Sequence, residues 1–244
     1  MDAVAGASPR TLARTAGALY LVNIVAGAFA IGFVRATLFA SDPAVTAHNI
    51  QAHEFLYRSS LVAHVVVTLT NVPLAMIFYE LFKVVNRRLA LLDVFFTLVG
   101  TAIEAAGILD QFTPLAVLGS RPDANALHAL VSVPSSLSVV DYDIYTLFYG
   151  FDIICVGYLV FSSTFLPGVI GVLMAIDGLA YLVNAFADLL APGFAAHLVP
   201  WIQLPALLGE GSLCLWLLVV GLNAGRWRTR AADTPVPAWS GTPA

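Results

Sequence analysis

Residues 168–190 read GVIGVLMAIDGLAYLVNAFADLL, opened by Pro167-Gly168 and closed by Ala191-Pro192-Gly193. A helix that crosses a bilayer needs roughly 20 mainly apolar residues, and this stretch has that length with turn residues at both ends. Its polar residues are not scattered. Met174, Asp177, Tyr181, Asn184 and Asp188 recur at intervals of three and four, which places them on one helical face. The segment reads as a membrane helix with one polar stripe.

Five more segments of the same kind lie around it, near 14–36, 58–82, 89–111, 142–163 and 200–224. The composition agrees: 59% of the 244 residues are apolar, 11% are charged, and the net charge is −4. A soluble domain carries about a quarter charged residues. An ordinary soluble domain and a disordered chain are thereby excluded, and the acidic balance leaves no basic face for nucleic acid. Long apolar runs without alternation favour helices over a β-barrel. The predicted fold is all-α, a polytopic bundle of about six transmembrane helices. It comprises an N-terminal segment 1–13, one helical domain 14–225 and a disordered tail 226–244 rich in Pro, Thr and Ser. Cys155 and Cys214 both lie in apolar runs and suggest no disulfide framework.

Lys and Arg beside the spans set the expected orientation. Arg10, Arg14, Lys83, Arg87, Arg88, Arg226, Arg228 and Arg230 fall on one side, against Arg35, Arg58 and Arg121 on the other. Both termini are then cytoplasmic and the protein belongs to a bacterial plasma membrane. Arg10 and Arg14 ahead of an apolar run containing Ala28-Phe29-Ala30 resemble a signal peptide, but the run has the length of a full span and is read as an anchor. Trp201 and Trp227 fall where interfacial anchors belong. The outer connections 37–57 and 112–141 are long. Ser41-Asp42-Pro43 is a helix start, giving a short amphipathic helix with Val45, Ala52, Phe55 and Leu56 on its apolar face. His48, His53, His64, His128 and His197 all fall on the outer side, without ligand spacing, so neither a metal nor another cofactor is expected.

The chemistry rests on acids within the apolar spans. Glu104, Asp152, Asp177 and Glu210 occupy four different spans, with no basic residue beside them in those spans. A carboxylate at mid-bilayer costs about 2.5–3.5 kcal/mol, so these side chains are expected to face the bundle interior. Polar stripes on the other spans supply neighbours. Span one offers Tyr20, Asn23 and Gly27, and span two offers Tyr57, Ser60, His64, Thr68 and Asn71. Span three offers Asp93, Gly100, Glu104, Gly107 and Gln111. Span four offers Asp141, Tyr145, Phe148, Asp152 and Cys155, and span six Gln203, Glu210 and Cys214. Individually, Asn23, Thr68 and Asn71 read as hydrogen-bond glue between helices. Glu80, Asp93 and Asp110, nearer span ends, read as solvated.

Several stretches resemble a bacterial family of small multi-pass membrane proteins, family 4386 of the domains of unknown function. They are Ala16-Gly17-Ala18-Leu19-Tyr20-Leu21, Val84-Val85-Asn86-Arg87, Gly157-Tyr158-Leu159, and Leu166-Pro167-Gly168-Val169-Ile170-Gly171-Val172-Leu173. Gly178-Leu179-Ala180-Tyr181-Leu182 and Gly209-Glu210 followed by Leu215-Trp216-Leu217 complete the set, spanning roughly 10–225. The resemblance implies a compact helical bundle with short inner turns and no assigned activity. Glu104 and Glu210 lie in family-typical stretches, whereas Asp152 and Asp177 stand where the resemblance implies small or apolar residues.

The expected function is a membrane-embedded enzyme that acts on a lipophilic, prenyl- or terpenoid-like small molecule by acid-catalysed cyclisation or isomerisation. Asp177 is the first choice of proton donor and Asp152 the second, with Glu104 and Glu210 holding the geometry. His64, Asn71, Tyr145, Phe148, Tyr181, Asn184 and Asp188 would line the substrate pocket. No DDxxD-like diphosphate site is present, so ionisation through magnesium is not expected. The alternatives are a proton- or cation-coupled carrier, for which a homodimer would supply further spans, and a non-catalytic membrane scaffold.

Overall fold

A computed structural model describes residues 8–40, 42–118 and 124–233, and the side chains among them except Pro43 and 116–139. Ser41, Arg121, His128 and the tail from 234 onward lie outside the described residues or side chains. Among the described residues the chain is helical throughout, with no strand. Among the described residues, five helices are long and apolar enough to cross a membrane.

Helix α1 runs Pro9–Gly27 and continues through a π-helical stretch, Ala28–Val34, to Arg35–Leu38. Ser8 caps it by accepting from the Thr11 N–H at 3.2 Å, with Pro9 at the first turn. Helix α2 (Pro43–Ala52) starts where the sequence places it, with Asp42 accepting from the Ala44 N–H at 2.8 Å. Thr46, Ala47 and Ile50 turn inward to the bundle, while Val45 and Ala52 are exposed. Ile50 joins Val34, Leu38, Tyr57 and Leu61 in a small cluster that seals this end of the bundle.

Helix α3 (Glu54–Gln111) has 58 residues, about three times the length of one crossing. It is broken at Asn86, whose φ −152°, ψ 103° are not helical. The Asn86 side chain accepts from the Leu89 N–H at 3.1 Å, so it serves as the cap of the second arm. The arms fold back on each other: Tyr57 donates to the Gln111 carbonyl at 2.7 Å, and Asn71 donates to Thr101 Oγ1 at 3.2 Å. The short α4 (Thr113–Leu118) leads into α5 (Ala124–Ser162), and Pro167 precedes α6 (Gly168–Leu190). After α7 (Pro192–Leu198) and a 3-10 turn at Trp201–Gln203, α8 (Leu204–Val219) closes the bundle against α1 and α6.

The main core lies at the end holding the 86 and 163–167 turns, with Leu81, Phe82, Leu159, Met174, Leu213 and Leu217 fully buried. Gly221, at φ +74°, ends α8 with its N–H on the Trp216 carbonyl, a conformation that favours glycine. The chain then forms α9 (Ala224–Ala232), capped by Asn223. Helix α9 corrects the expectation of an irregular segment from 226. Trp227 packs beneath the bundle, and its indole N–H donates to the Leu81 carbonyl at 2.9 Å.

Candidate functional site: an acidic, tyrosine-lined chamber

The polar stripes converge at the end opposite the main core. Two connected cavities of about 580 and 400 Å³ share Glu104, Tyr142, Tyr145, Asn184 and Gln203 in their walls. These volumes fall in the range of small-molecule sites. The larger one, the chamber, is bordered by α1, α3, α5, α6 and α8, with Glu104, Asp177, Glu210, Tyr181 and Asn184 in its walls. The smaller one is a mouth bordered by His64, Asp141, Asp143, Asp188 and Gln111. Arg35 borders it too, with its guanidinium 5.3 Å from the Phe39 ring centroid. A basic side chain therefore stands near these acids, contributed by the end of α1.

Glu210 is the most heavily supported group. Tyr20 and Tyr149 donate to its Oε2 at 2.8 and 2.7 Å, and Tyr181 donates to Oε1 at 2.9 Å. The three hydroxyls come from three helices, α1, α5 and α6. Three O–H donors on one carboxyl are what a buried carboxylate needs in place of water. The tyrosines are themselves fixed by ring contacts: Tyr149 stacks on Tyr145 at 5.5 Å and meets Tyr181 edge-on at 5.1 Å. Tyr142 continues the row, 6.1 Å from Tyr145.

Asp177 is the opposite case. It is 1% exposed, and neither carboxyl oxygen has a hydrogen-bond partner. Its place beside Glu210 depends on Gly209, where an added Cβ would sit 3.1 Å from the Asp177 Cβ. Glu104, reached from the second arm of α3, also has one buried oxygen without a partner. Asn184 donates to Asp188 at 2.8 Å, four residues along the same stripe, so the face read from the sequence of α6 is the chamber face.

Asp152 does not join this group. It lies on the flank of α5 that meets the second arm of α3, where Thr97 donates to its Oδ1 at 2.7 Å. Asp93, on the second arm of α3, is buried close to it, and its Oδ1 has no hydrogen-bond partner. Asp93 is 1% exposed, which corrects its reading as a solvated residue near a span end. Beside Asp152 is a void of only about 30 Å³, room for a water and no more. Phe148 turns to the same flank and packs on Phe96 at 6.4 Å, away from the chamber wall. Asn71 is engaged as glue: Asn23 donates to it at 2.6 Å while it donates to Thr101. His64 borders the mouth, bonded to Gln111 at 3.2 Å, whereas His53 and His197 bond backbone carbonyls of their own helices.

Asp93 and Tyr20, which stand in the stripes, and Tyr149 and Tyr142 are thus part of the polar interior, although none of the four was assigned a catalytic or substrate-binding role. Tyr149 had a legible signal, lying four residues after Tyr145 on one helical face.

No curated protein and no solved structure matches the chain. The family model described as a domain of unknown function, DUF4386, matches residues 15–221, a range that includes every chamber residue named above, and the chain belongs to that family.

Proposed function

We propose that the protein is a membrane-embedded enzyme that isomerises or cyclises a lipophilic, unsaturated substrate by acid catalysis in this chamber. The observation that carries the reading is the contrast between two adjacent carboxyls, Glu210 held by three hydroxyls and Asp177 held by none. Neighbouring carboxyls in unlike surroundings are how one site provides an acid and a base. Asp177 is the acid. Its proton adds to an alkene carbon, and the rings of Tyr149 and Tyr181 face the cation that forms. A neighbouring C–H proton then passes to Glu210 and from there back to Asp177, so the substrate leaves as an isomer with no net change in atoms or charge.

We further read the chain as six crossings, with the two arms of α3 counting as two, in a bacterial plasma membrane with both termini cytoplasmic. The hairpin at Asn86 and the eight-to-three division of Lys and Arg support this. Cysteine labelling at residues 40 and 125 from the outside tests it; labelling of either only from the cytoplasmic side overturns it.

The catalytic reading is tested with prenyl alcohols and prenylated quinols in nanodiscs made up in D₂O. A protonated alkene must acquire deuterium at carbon, and Asp177→Asn should cost about 10²–10⁴ in that rate. If deuterium appears only with Glu104→Gln inactive and Asp177→Asn active, the donor is Glu104. If no substrate acquires deuterium and the acids affect only proton-coupled solute flux, a carrier replaces the enzyme.

A further inference from the structure

The chamber has two openings of opposite character. At the mouth the rim is polar, with Arg35, Asp141, Asp143 and Asp188. On the side, between the π-helical part of α1 and the first half of α8, the rim is apolar: Ile31 on one edge, Ile202 and Leu207 on the other. Leu207 borders the chamber and is also 71% exposed on the outer surface, so chamber and surface meet at this residue.

Three glycines keep this side open. A Cβ added to Gly27, Gly32 or Gly211 would meet no atom within 4 Å, and all three border the chamber. Lower in the same helix pair the situation is reversed, because a Cβ on Gly17 would sit 2.5 Å from the Leu218 nitrogen. The two helices touch through backbone at one end and part at the other. The parting coincides with Ala28–Val34, where α1 becomes π-helical and packs on α3. A π-helical turn widens and redirects a helix. Open space at glycines would be a packing defect alone, but this space ends at the buried, unpartnered carboxyl of Asp177.

We infer that the gap between residues 27–32 and 202–211 is a side portal through which the hydrocarbon chain of a membrane lipid slides from the bilayer into the chamber. An apolar rim at the depth of acyl chains presents no desolvation barrier to a chain that is already out of water, whereas the charged mouth does. The inference rests on the chamber being a ligand site, and not on proton transfer from Asp177.

The test uses the full chain in nanodiscs containing a phosphatidylcholine with a diazirine at the middle of one acyl chain. After irradiation, adducts are mapped by mass spectrometry. Wild-type protein should carry adducts at Tyr181 and Asp177 in the chamber as well as at outward residues such as Val62 and Leu69, which are 63% and 66% exposed. Gly32→Leu with Gly211→Leu should abolish the chamber adducts and leave the outward ones. Gly193→Leu, also in open space but away from the rim, should change neither. Monodisperse elution and unchanged thermal unfolding show that the closed variant is folded. Adducts at Asp177→Asn in the same place would separate failure of the chemistry from failure of the portal. Chamber adducts that survive closure, or a wild-type chamber that acquires none, overturn the inference.

Discussion

Helices α1 and α8 pack on each other at one end and part at the other, so their two halves do opposite things. Around Gly17 the backbones are in contact, and Tyr20, Leu213 and Leu217 are buried at 3% or less. Around Gly27 and Gly32 the same helix leaves room on α8's side, and the space is bordered by acids and tyrosines. Glycine in the first half allows close approach, which is how membrane helices associate without a hydrophobic drive. In the second half it keeps volume free. The apolar core is concentrated at one end of the bundle and the acids and tyrosines at the other, and the closed end can carry the cost of burying unpaired polar groups at the open one.

The sharpest way to break that contrast is to add side chains on both sides of it. Gly17→Leu forces a Cβ into the backbone of Leu218, and Gly171→Leu does the same against Phe161 and Gly157. Each should lower stability in detergent by about 3 kcal/mol, the upper end for overpacking, or abolish the folded yield. Gly27→Leu and Gly32→Leu should leave thermal unfolding close to wild type. Equal losses at 17 and 32 would show that the two halves do not differ.

Next in size come the hydroxyls on Glu210. Tyr149→Phe removes one of three donors from a buried carboxyl and should cost about 1.5–3 kcal/mol in unfolding, as for hydrogen bonds to charged groups. Tyr158→Phe, on a residue 53% exposed, should cost nothing measurable. Smaller still is Asp110→Asn, which alters an acid outside the chamber walls and should leave turnover unchanged. The smallest effect belongs to the exposed Arg58–Glu54 pair, 2.7 Å apart, whose removal should change stability by less than about 1 kcal/mol.

These contrasts also mark what a linear reading could reach. The stripe of α6 from Met174 to Asp188 was legible because one helix carries it and its period needs no partner. The gap between the spans ending near 82 and starting near 89, and the helix start at Asp42-Pro43, were local in the same sense. The three donors on Glu210 were not, because they arrive from α1, α5 and α6, and their meeting is a property of the bundle. Asp93 was misread for a related reason. It stands seven residues after the break, where a single helix would be wet, but the closed end packs over it. Asp152 and Phe148 were assigned to the right helix and the wrong flank, since a stripe wide enough to include Tyr145 also includes the face turned to α3.

The claim on which the functional reading depends is that Asp177 holds a proton, unbonded, beside a carboxylate at Glu210. Infrared difference spectroscopy of protein in nanodiscs reads this directly, as wild type minus Asp177→Asn and wild type minus Glu210→Gln. The first difference should contain the C=O stretch of a protonated carboxylic acid without hydrogen bonds, shifting in D₂O, and the second should contain carboxylate bands. A wild type minus Asp177→Asn spectrum with only carboxylate bands would contradict the claim.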